Sequence, residues 1–370
     1  MTTRRLDVGG ALIDGAVVPG DVEIDDGRIV AVGCSPAGSR GLVAPGLIDV
    51  HVHGCGGVDF LAADTAAYAR AGLRLAEFGV TAFQPAFVTA PVEQLRDGLV
   101  RLAQVRANGG VAPHVLGAHL EGPFLSPERL GTHSAQLRRD PDADALVTLL
   151  DAGPVGEVTL APELPGALDL VDLLVARGVV VSVGHSDATA AQAAAAAARG
   201  ARSVTHLFNA MRPLHHREPG LAGWALADTD VHIELIVDGH HLHPDIVRMV
   251  WRAAGDRILL VTDGTAASGM PDGRYVMGDI ELTVTDGAVR NPAGALAGSA
   301  LTMIDAVRNT HALGVPLEQA LTAATAAPAR VLQRDDIGRL HVGAAADVIV
   351  LDDRLDVRET LVGGRAVYAA

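Results

Sequence analysis

Leu47-Ile48-Asp49-Val50-His51-Val52-His53-Gly54 is an apolar run of strand character that ends in ligand-type side chains. Residues two apart on a strand share a face, so His51 and His53 point the same way. The pattern recurs downstream. Val80–Gln84, His114–Leu120, Glu157–Ala161, Val179–Val183, Ser203–Thr205, His232–Val237 and Ile258–Thr262 are further short apolar runs. Helical stretches such as Ala66–Phe78 and Ala188–Arg199 separate most of them. Eight strands alternating with helices predict a (β/α)8 TIM-like barrel, a fold that keeps its sites at the C-terminal strand ends.

Those ends carry a consistent chemistry. The third run closes on His119-Leu120-Glu121-Gly122-Pro123, the fifth on Gly184-His185-Ser186, the sixth on Thr205-His206 and the eighth on Thr262-Asp263-Gly264. A lone strand-end His is usually a satisfied polar residue, and a lone Asp before Gly is usually a turn former. The recurrence of such residues at one barrel edge calls for a different reading. His51, His53, Glu121, His185, His206 and Asp263 form the donor set of a first-row metal site. His119 is expected behind them, supporting the ligands.

The two chain ends read differently. Val22-Glu23-Ile24-Asp25 and Arg28-Ile29-Val30-Ala31-Val32 flank an Asp26-Gly27 turn, a hairpin signal. Ala346–Leu351 is a strand, and Val362–Tyr368 contains a second hairpin. The expected organisation is a small β-sandwich domain from residues 1–45 and 336–370, with the catalytic barrel inserted as 46–335. An inserted hairpin is expected at 273–291.

Composition narrows the function. The net charge is −15 and no basic patch appears, which speaks against a nucleic-acid partner. All 29 basic residues are Arg, so a Schiff-base lysine, a P-loop lysine and a carbamylated lysine bridging two metals are excluded. Two cysteines make no disulfide framework. The N-terminal residues lack an apolar signal region, and the Ala190–Ala198 run is too short to span a bilayer. The expectation is a cytoplasmic protein without a membrane partner.

Longer words sharpen the reading. His119-Leu120-Glu121-Gly122-Pro123-Phe124, Gly131-Thr132-His133, Val183-Gly184-His185-Ser186-Asp187-Ala188-Thr189, Thr205-His206-Leu207-Phe208-Asn209-Ala210-Met211, Arg217-Glu218-Pro219-Gly220-Leu221, Val261-Thr262-Asp263-Gly264-Thr265 and Leu296-Ala297-Gly298-Ser299 occur in this order. Together they resemble the N-acetylglucosamine-6-phosphate deacetylases of the amidohydrolase superfamily.

The resemblance implies that Glu121, His185 and His206 hold the main divalent metal, with zinc expected first and iron, manganese or cobalt as alternatives. His51 and His53 match the superfamily's first-strand pair, so one or two ions per subunit are expected. Asp263 is the implied general base and acid, and His133 the donor to the developing oxyanion. The implied substrate contacts are Thr132, His133, Asn209, the Ala210 backbone N–H, Arg217, His241, and Leu296, Ala297 and Gly298 closing over the sugar. A homodimer is implied, with Arg217 or His241 acting across the interface. His215, His216, His240 and His243 are read as surface-loop residues, and Cys55 as a small packed one. Alternatives are an N-acetylgalactosamine 6-phosphate deacetylase, a cyclic amidase or base deaminase, and a non-catalytic scaffold on the same fold.

Overall fold

The computed structural model of the chain describes residues 3–110, 112–228 and 230–370. Eight parallel strands run in sequence order: β1 (Leu47–Val52), β2 (Val80–Phe87), β3 (Ala118–Glu121), β4 (Val155–Leu160), β5 (Val180–Val183), β6 (Ser203–Val204), β7 (His232–Leu235) and β8 (Ile258–Leu260). Each pairs in parallel with the next from β1 to β8. Helices cover the outside, among them α1 (Thr65–Glu77), α2 (Val92–Asn108), α3 (Ala143–Ala152), α4 (Ala167–Ala176) and α5 (Ala190–Ala198). Caps fix several of their starts: Asp64, Asp142 and Thr189 each accept an N–H from the first turn.

The barrel closes just beyond the ends of β8 and β1. The Asp263 N–H donates to the His51 carbonyl at 2.9 Å, and the His53 N–H to the Gly264 carbonyl at 2.7 Å. Asp49, fully buried, braces the same seam by accepting the Thr262 hydroxyl at 2.6 Å. Closure and site assembly are therefore one event: the bonds that join the first and last strands also fix His51, His53 and Asp263.

The expected His114–Leu120 strand is two short pieces. His114–Val115 and β3 both pair with β2, with a break at Gly117. There the backbone lies so close to Gly156 that a Cβ would sit 2.6 Å from its nitrogen. The insertion at 273–291 is not a hairpin. It is a three-stranded antiparallel sheet of Gly273–Met277, Ile280–Thr285 and Ala288–Arg290. The Asp286-Gly287 turn adds a third strand that a short apolar run at Ala288–Arg290 did not announce.

The chain ends meet in two sheets. Arg4–Arg5, Asp21–Asp25 and Arg28–Cys34 form one. The other has six strands in the order Arg365–Ala369, Val357–Val362, Val348–Leu351, Leu42–Pro45, Gly10–Ile13, Ala16–Pro19. Leu6, Val22, Ile24, Ile29, Val43, Val348 and Val350 fill the space between them. The alternate residues Ala44, Ile349 and Leu351 join the barrel's core instead. Val348–Leu351 is thus buried on both faces, which is why it reads as a continuous apolar run rather than an alternating one.

His114, at the N-terminal end of the barrel, holds Asp347 of this C-terminal segment at 3.0 Å. The hydrogen bond to Asp347 raises the imidazole pKa. Because the folded pKa lies above the unfolded value of about 6.5, the pair stabilises fully below that pH and loses its effect as pH rises through the folded value. His114→Ala should therefore lower Tm more at pH 6 than at pH 9. A loss of equal size at both would mean that the contact carries no charge.

Candidate active site

At the C-terminal mouth of the barrel five imidazoles converge on one carboxylate. Glu121 ends β3 and is 3% exposed. Its Oε1 lies 3.0 Å from His185 Nε2, 3.0 Å from His206 Nε2 and 3.6 Å from His51 Nε2. Its Oε2 lies 3.1 Å from His133 Nε2 and 3.3 Å from His53 Nε2. Asp263 Oδ1 completes the set, 3.3 Å from His53 Nε2 and 3.6 Å from His51 Nε2.

The strand ends present these groups through uncommon backbone. His185, His206 and Asp263 have φ of 47°, 30° and 48°, and Phe208 and Ala210 have 75° and 46°. Left-handed conformations of this kind cost about 1–3 kcal/mol each and persist where the surroundings enforce them. Gly184 lets β5 and β6 approach closely, since a Cβ there would lie 2.7 Å from that of Thr205.

The outer nitrogens orient the rings. His185 Nδ1 donates to the Arg129 carbonyl at 3.0 Å, which turns the Nε2 lone pair toward Glu121. His51 Nδ1 donates to Glu234 at 3.0 Å. His133 Nε2 faces a carboxylate oxygen and so carries the proton, while Nδ1 accepts the Thr89 N–H at 3.3 Å. His119 stays out of the mouth: it bonds the Val50 carbonyl and Thr159, with its ring edge-on to His51 at 4.4 Å between centroids.

The donor set fits a divalent cation. Glu121, His185 and His206 offer three ligand atoms within 4.8 Å of one another, as do His51, His53 and Asp263. Tetrahedral ligands at about 2.0–2.2 Å from zinc stand about 3.3–3.5 Å apart, close to the separations here. His51 Nε2, and both ring nitrogens of His53, are buried without a hydrogen-bond partner. The titration behaviour demands positive charge as well. Burial opposes protonation of His51 and His53, yet Glu121 and Asp263 push both pKa values up, His53 to about 9. Burial first, and then the neighbouring His133, push His185 down to about 4, keeping its lone pair free.

A cavity of about 190 Å³ opens onto these groups. Of the substrate contacts read from the sequence, Thr132, His133, Asn209, Ala210, His241, Leu296 and Gly298 line it, beside His53, Glu121, His185, His206 and Asp263. His51 lies buried beneath. The Ala210 N–H donates to no atom of the described residues. His241 Nδ1 is held by Asp238 at 2.7 Å. Ala297 is buried and turned into the fold, its N–H bonded to the Val289 carbonyl. Arg217 is exposed on the loop with His215 and His216, outside the cavity lining of this chain.

Met277 lines the cavity too and was not foreseen. It reaches there because the inserted sheet folds back over the mouth, and a methionine in a short strand carries no signal of that. Glu234 also escaped notice, although an acid inside the apolar run Ile233-Glu234-Leu235 is a legible anomaly: once buried it needs a partner, and His51 supplies one.

Comparison with known proteins defines the class. The amidohydrolase family model matches residues 42–367, and the chain belongs to that family. Within it, the chain is 39% identical to the N-acetylglucosamine-6-phosphate deacetylase of Vibrio furnissii over 330 residues, covering 88% of this chain and 83% of that one. It is likewise 39% identical to the N-acetylgalactosamine-6-phosphate deacetylase of Escherichia coli O157:H7, covering 93% of each. A solved structure of an aspartate-to-alanine mutant of the Mycobacterium smegmatis N-acetyl-D-glucosamine-6-phosphate deacetylase, in complex with N-acetyl-D-glucosamine-6-phosphate, is similar at 40% identity. Its TM-score is 0.93, with 100% of both chains covered.

Metal should be a structural component of this mouth. Chelation should lower Tm by several degrees and a divalent cation should restore it, since a ligand at a hundred times its Kd adds about 2.7 kcal/mol. Glu121→Ala and His185→Ala should each bind less than stoichiometric metal by elemental analysis. Full metal content in both would exclude them as ligands.

Proposed function

We propose that this chain hydrolyses the acetamide of N-acetylglucosamine 6-phosphate to glucosamine 6-phosphate and acetate. One observation carries the reading: Glu121, His185, His206, His133 and Asp263 together line one cavity of about 190 Å³, the size of a small-molecule site. The likeness to deacetylases over nearly the whole chain supports the substrate class.

In this reading 46–335 carries the chemistry and 1–45 with 336–370 forms the small β-domain. Glu121, His185 and His206 hold the divalent ion, zinc first, and His51 and His53 provide for a second one beside it. When bound, such an ion lowers the pKa of water and polarises a carbonyl. Asp263 takes a proton from the attacking water at Oδ. Its carboxyl stands ionised and able to accept that proton: burial disfavours the charge, but His51 and His53 hold the pKa below the usual carboxylate range. The His133 Nε2–H donates to the acetamide oxygen as charge builds there. Asp263 then returns the proton to the leaving nitrogen as the C–N bond breaks. Thr132, Asn209 and the Ala210 N–H grip the sugar phosphate, with His241, Leu296 and Gly298 around the ring.

Arg217 enters this scheme from a second subunit of a cytoplasmic homodimer. Its exposure beside Leu214, which is 45% exposed, supports such a contact. Among the described residues no helix is long and apolar enough to cross a membrane.

N-acetylgalactosamine 6-phosphate is a second reading, favoured by the likeness to the Escherichia coli relative and differing at one hydroxyl. Acetate release from the two substrates side by side decides between them: the larger kcat/KM identifies the substrate, and no release from either by the metal-loaded protein removes both.

Asp263→Asn should retain the ion held by Glu121, His185 and His206 and lower kcat by about 10²–10⁴-fold, the usual reach of general acid–base catalysis. Near-normal turnover would dismiss Asp263 as the base. Arg217→Ala should raise KM for the phosphorylated sugar far more than for free N-acetylglucosamine. Equal changes on both would take Arg217 out of phosphate binding.

A further inference from the structure

Three of the loops that line the cavity meet at one carboxylate outside its lining. Asp187 lies two residues beyond His185, on the loop after β5. Its Oδ1 accepts from the Arg129 guanidinium, at 2.7 Å from Nε and 2.6 Å from a terminal nitrogen. Its Oδ2 accepts from Arg212 at 2.6 Å, and the Arg212 Nε donates to the Asp187 backbone carbonyl at 2.8 Å.

The two arginines belong to different walls of the cavity. Arg129 follows β3 and stands just ahead of Thr132 and His133. Its own carbonyl receives the His185 Nδ1–H. Arg212 follows β6 and Asn209-Ala210. There the backbone is stitched to the β5 loop, Ser186 N–H to the Ala210 carbonyl at 3.2 Å and Arg212 N–H to the Ser186 carbonyl at 3.1 Å. Beneath, Glu163 after β4 accepts the Ser186 hydroxyl at 2.7 Å and the Asp187 N–H at 2.6 Å.

We infer that Asp187 is a positioning residue: by bridging Arg129 and Arg212 it sets the distance between the Thr132–His133 wall and the Asn209–Ala210 wall, and so the fit of the sugar phosphate between them. This rests on the function proposed above. The magnitudes favour positioning over stability. The side chains are 23% exposed at Asp187, 32% at Arg129 and 29% at Arg212. Pairs open to solvent contribute about 0–1 kcal/mol each. Each guanidinium nevertheless makes two charge-assisted contacts, Arg129 to Oδ1 and Arg212 to Oδ2 and the Asp187 carbonyl, and such paired contacts fix direction. The Ala210 and His185 backbones that it holds are the left-handed ones described above, which relax when released.

The experiment is steady-state acetate release on Asp187→Ala, Arg129→Ala, Arg212→Ala and the Arg129→Ala/Arg212→Ala double variant, with Tm and metal content measured on each. Misplacing bound groups by about 1 Å costs on the order of 10²-fold. Asp187→Ala should therefore lower kcat/KM by about ten- to hundredfold, mostly through KM, with metal content unchanged and Tm within a few degrees. Both single arginine variants should lose less. The double variant should match Asp187→Ala rather than exceed it, and Asp187→Glu should recover part of the loss. Wild-type kcat/KM in Asp187→Ala overturns the inference, and so does a loss that tracks falling Tm or metal content. An unmutated, metal-loaded protein that releases no acetate refutes the function proposed above and, with it, this role for Asp187.

Discussion

A carboxylate removed from water is expensive unless its charge is matched, and Glu121 is 3% exposed. Five imidazole nitrogens within 3.6 Å of it are the barrel's response. They come from β1, from the loop after β3, and from the ends of β5 and β6, so satisfying this one anion requires four of the eight strand ends to be brought together. Part of that demand falls on His51 and His53, whose pKa values Glu121 and Asp263 raise against the effect of burial. A divalent cation meets it without protons and leaves the nitrogens as lone-pair donors.

The layer below is polar for the same reason. A barrel interior is ordinarily filled by branched apolar side chains. Here Glu157, Glu234, Ser182, Ser203, Thr159, Thr205 and His119 are all fully buried within it. Thr205 accepts or donates to both Thr159 at 2.7 Å and Ser182 at 2.6 Å, and Thr159 meets His119 at 2.7 Å. Burial and then the charge of Glu234 hold Glu157 well above the usual carboxylate range. The site thus rests on a polar floor in which hydrogen bonds fix His119, Thr159, Thr205 and Ser182, while both Glu157 oxygens are buried without a hydrogen-bond partner among the described residues.

The barrel was legible because its signals are local. An apolar run followed by a ligand-type residue recurs at strand ends, and the eight runs fall on the eight strands to within a few residues. The ligand-type residues were legible for the same reason, since a strand end also fixes where its side chain goes. What stayed hidden depends on packing between distant segments. Met277 lines the cavity only because an inserted sheet folds over it, and the third strand of that sheet is three residues long. Ala297 lies in a motif whose neighbours reach the cavity, but it is itself buried, with its N–H bonded to the Val289 carbonyl of the inserted sheet. The Arg129–Asp187–Arg212 link joins residues 25 and 58 apart, and no periodicity encodes such a pairing.

An acidic chain that accepts an anionic substrate has to make positive potential locally. With a net charge of −15, its long-range field repels phosphate, but exposed charges beyond about 8–10 Å are screened at ordinary salt, so the short-range groups decide. Within the cavity those groups are imidazoles and a free backbone N–H at Ala210 rather than guanidinium groups. The arginines on the loops that line the cavity are committed elsewhere: Arg129 and Arg212 share Asp187, and Arg212 also lies 3.9 Å from Glu218. Arg217 points into solvent, its guanidinium against His216. A lone subunit therefore offers phosphate direction through hydrogen bonds but little net charge. In the function proposed above, the missing cation comes from outside the cavity lining, from the exposed Arg217 of a second subunit.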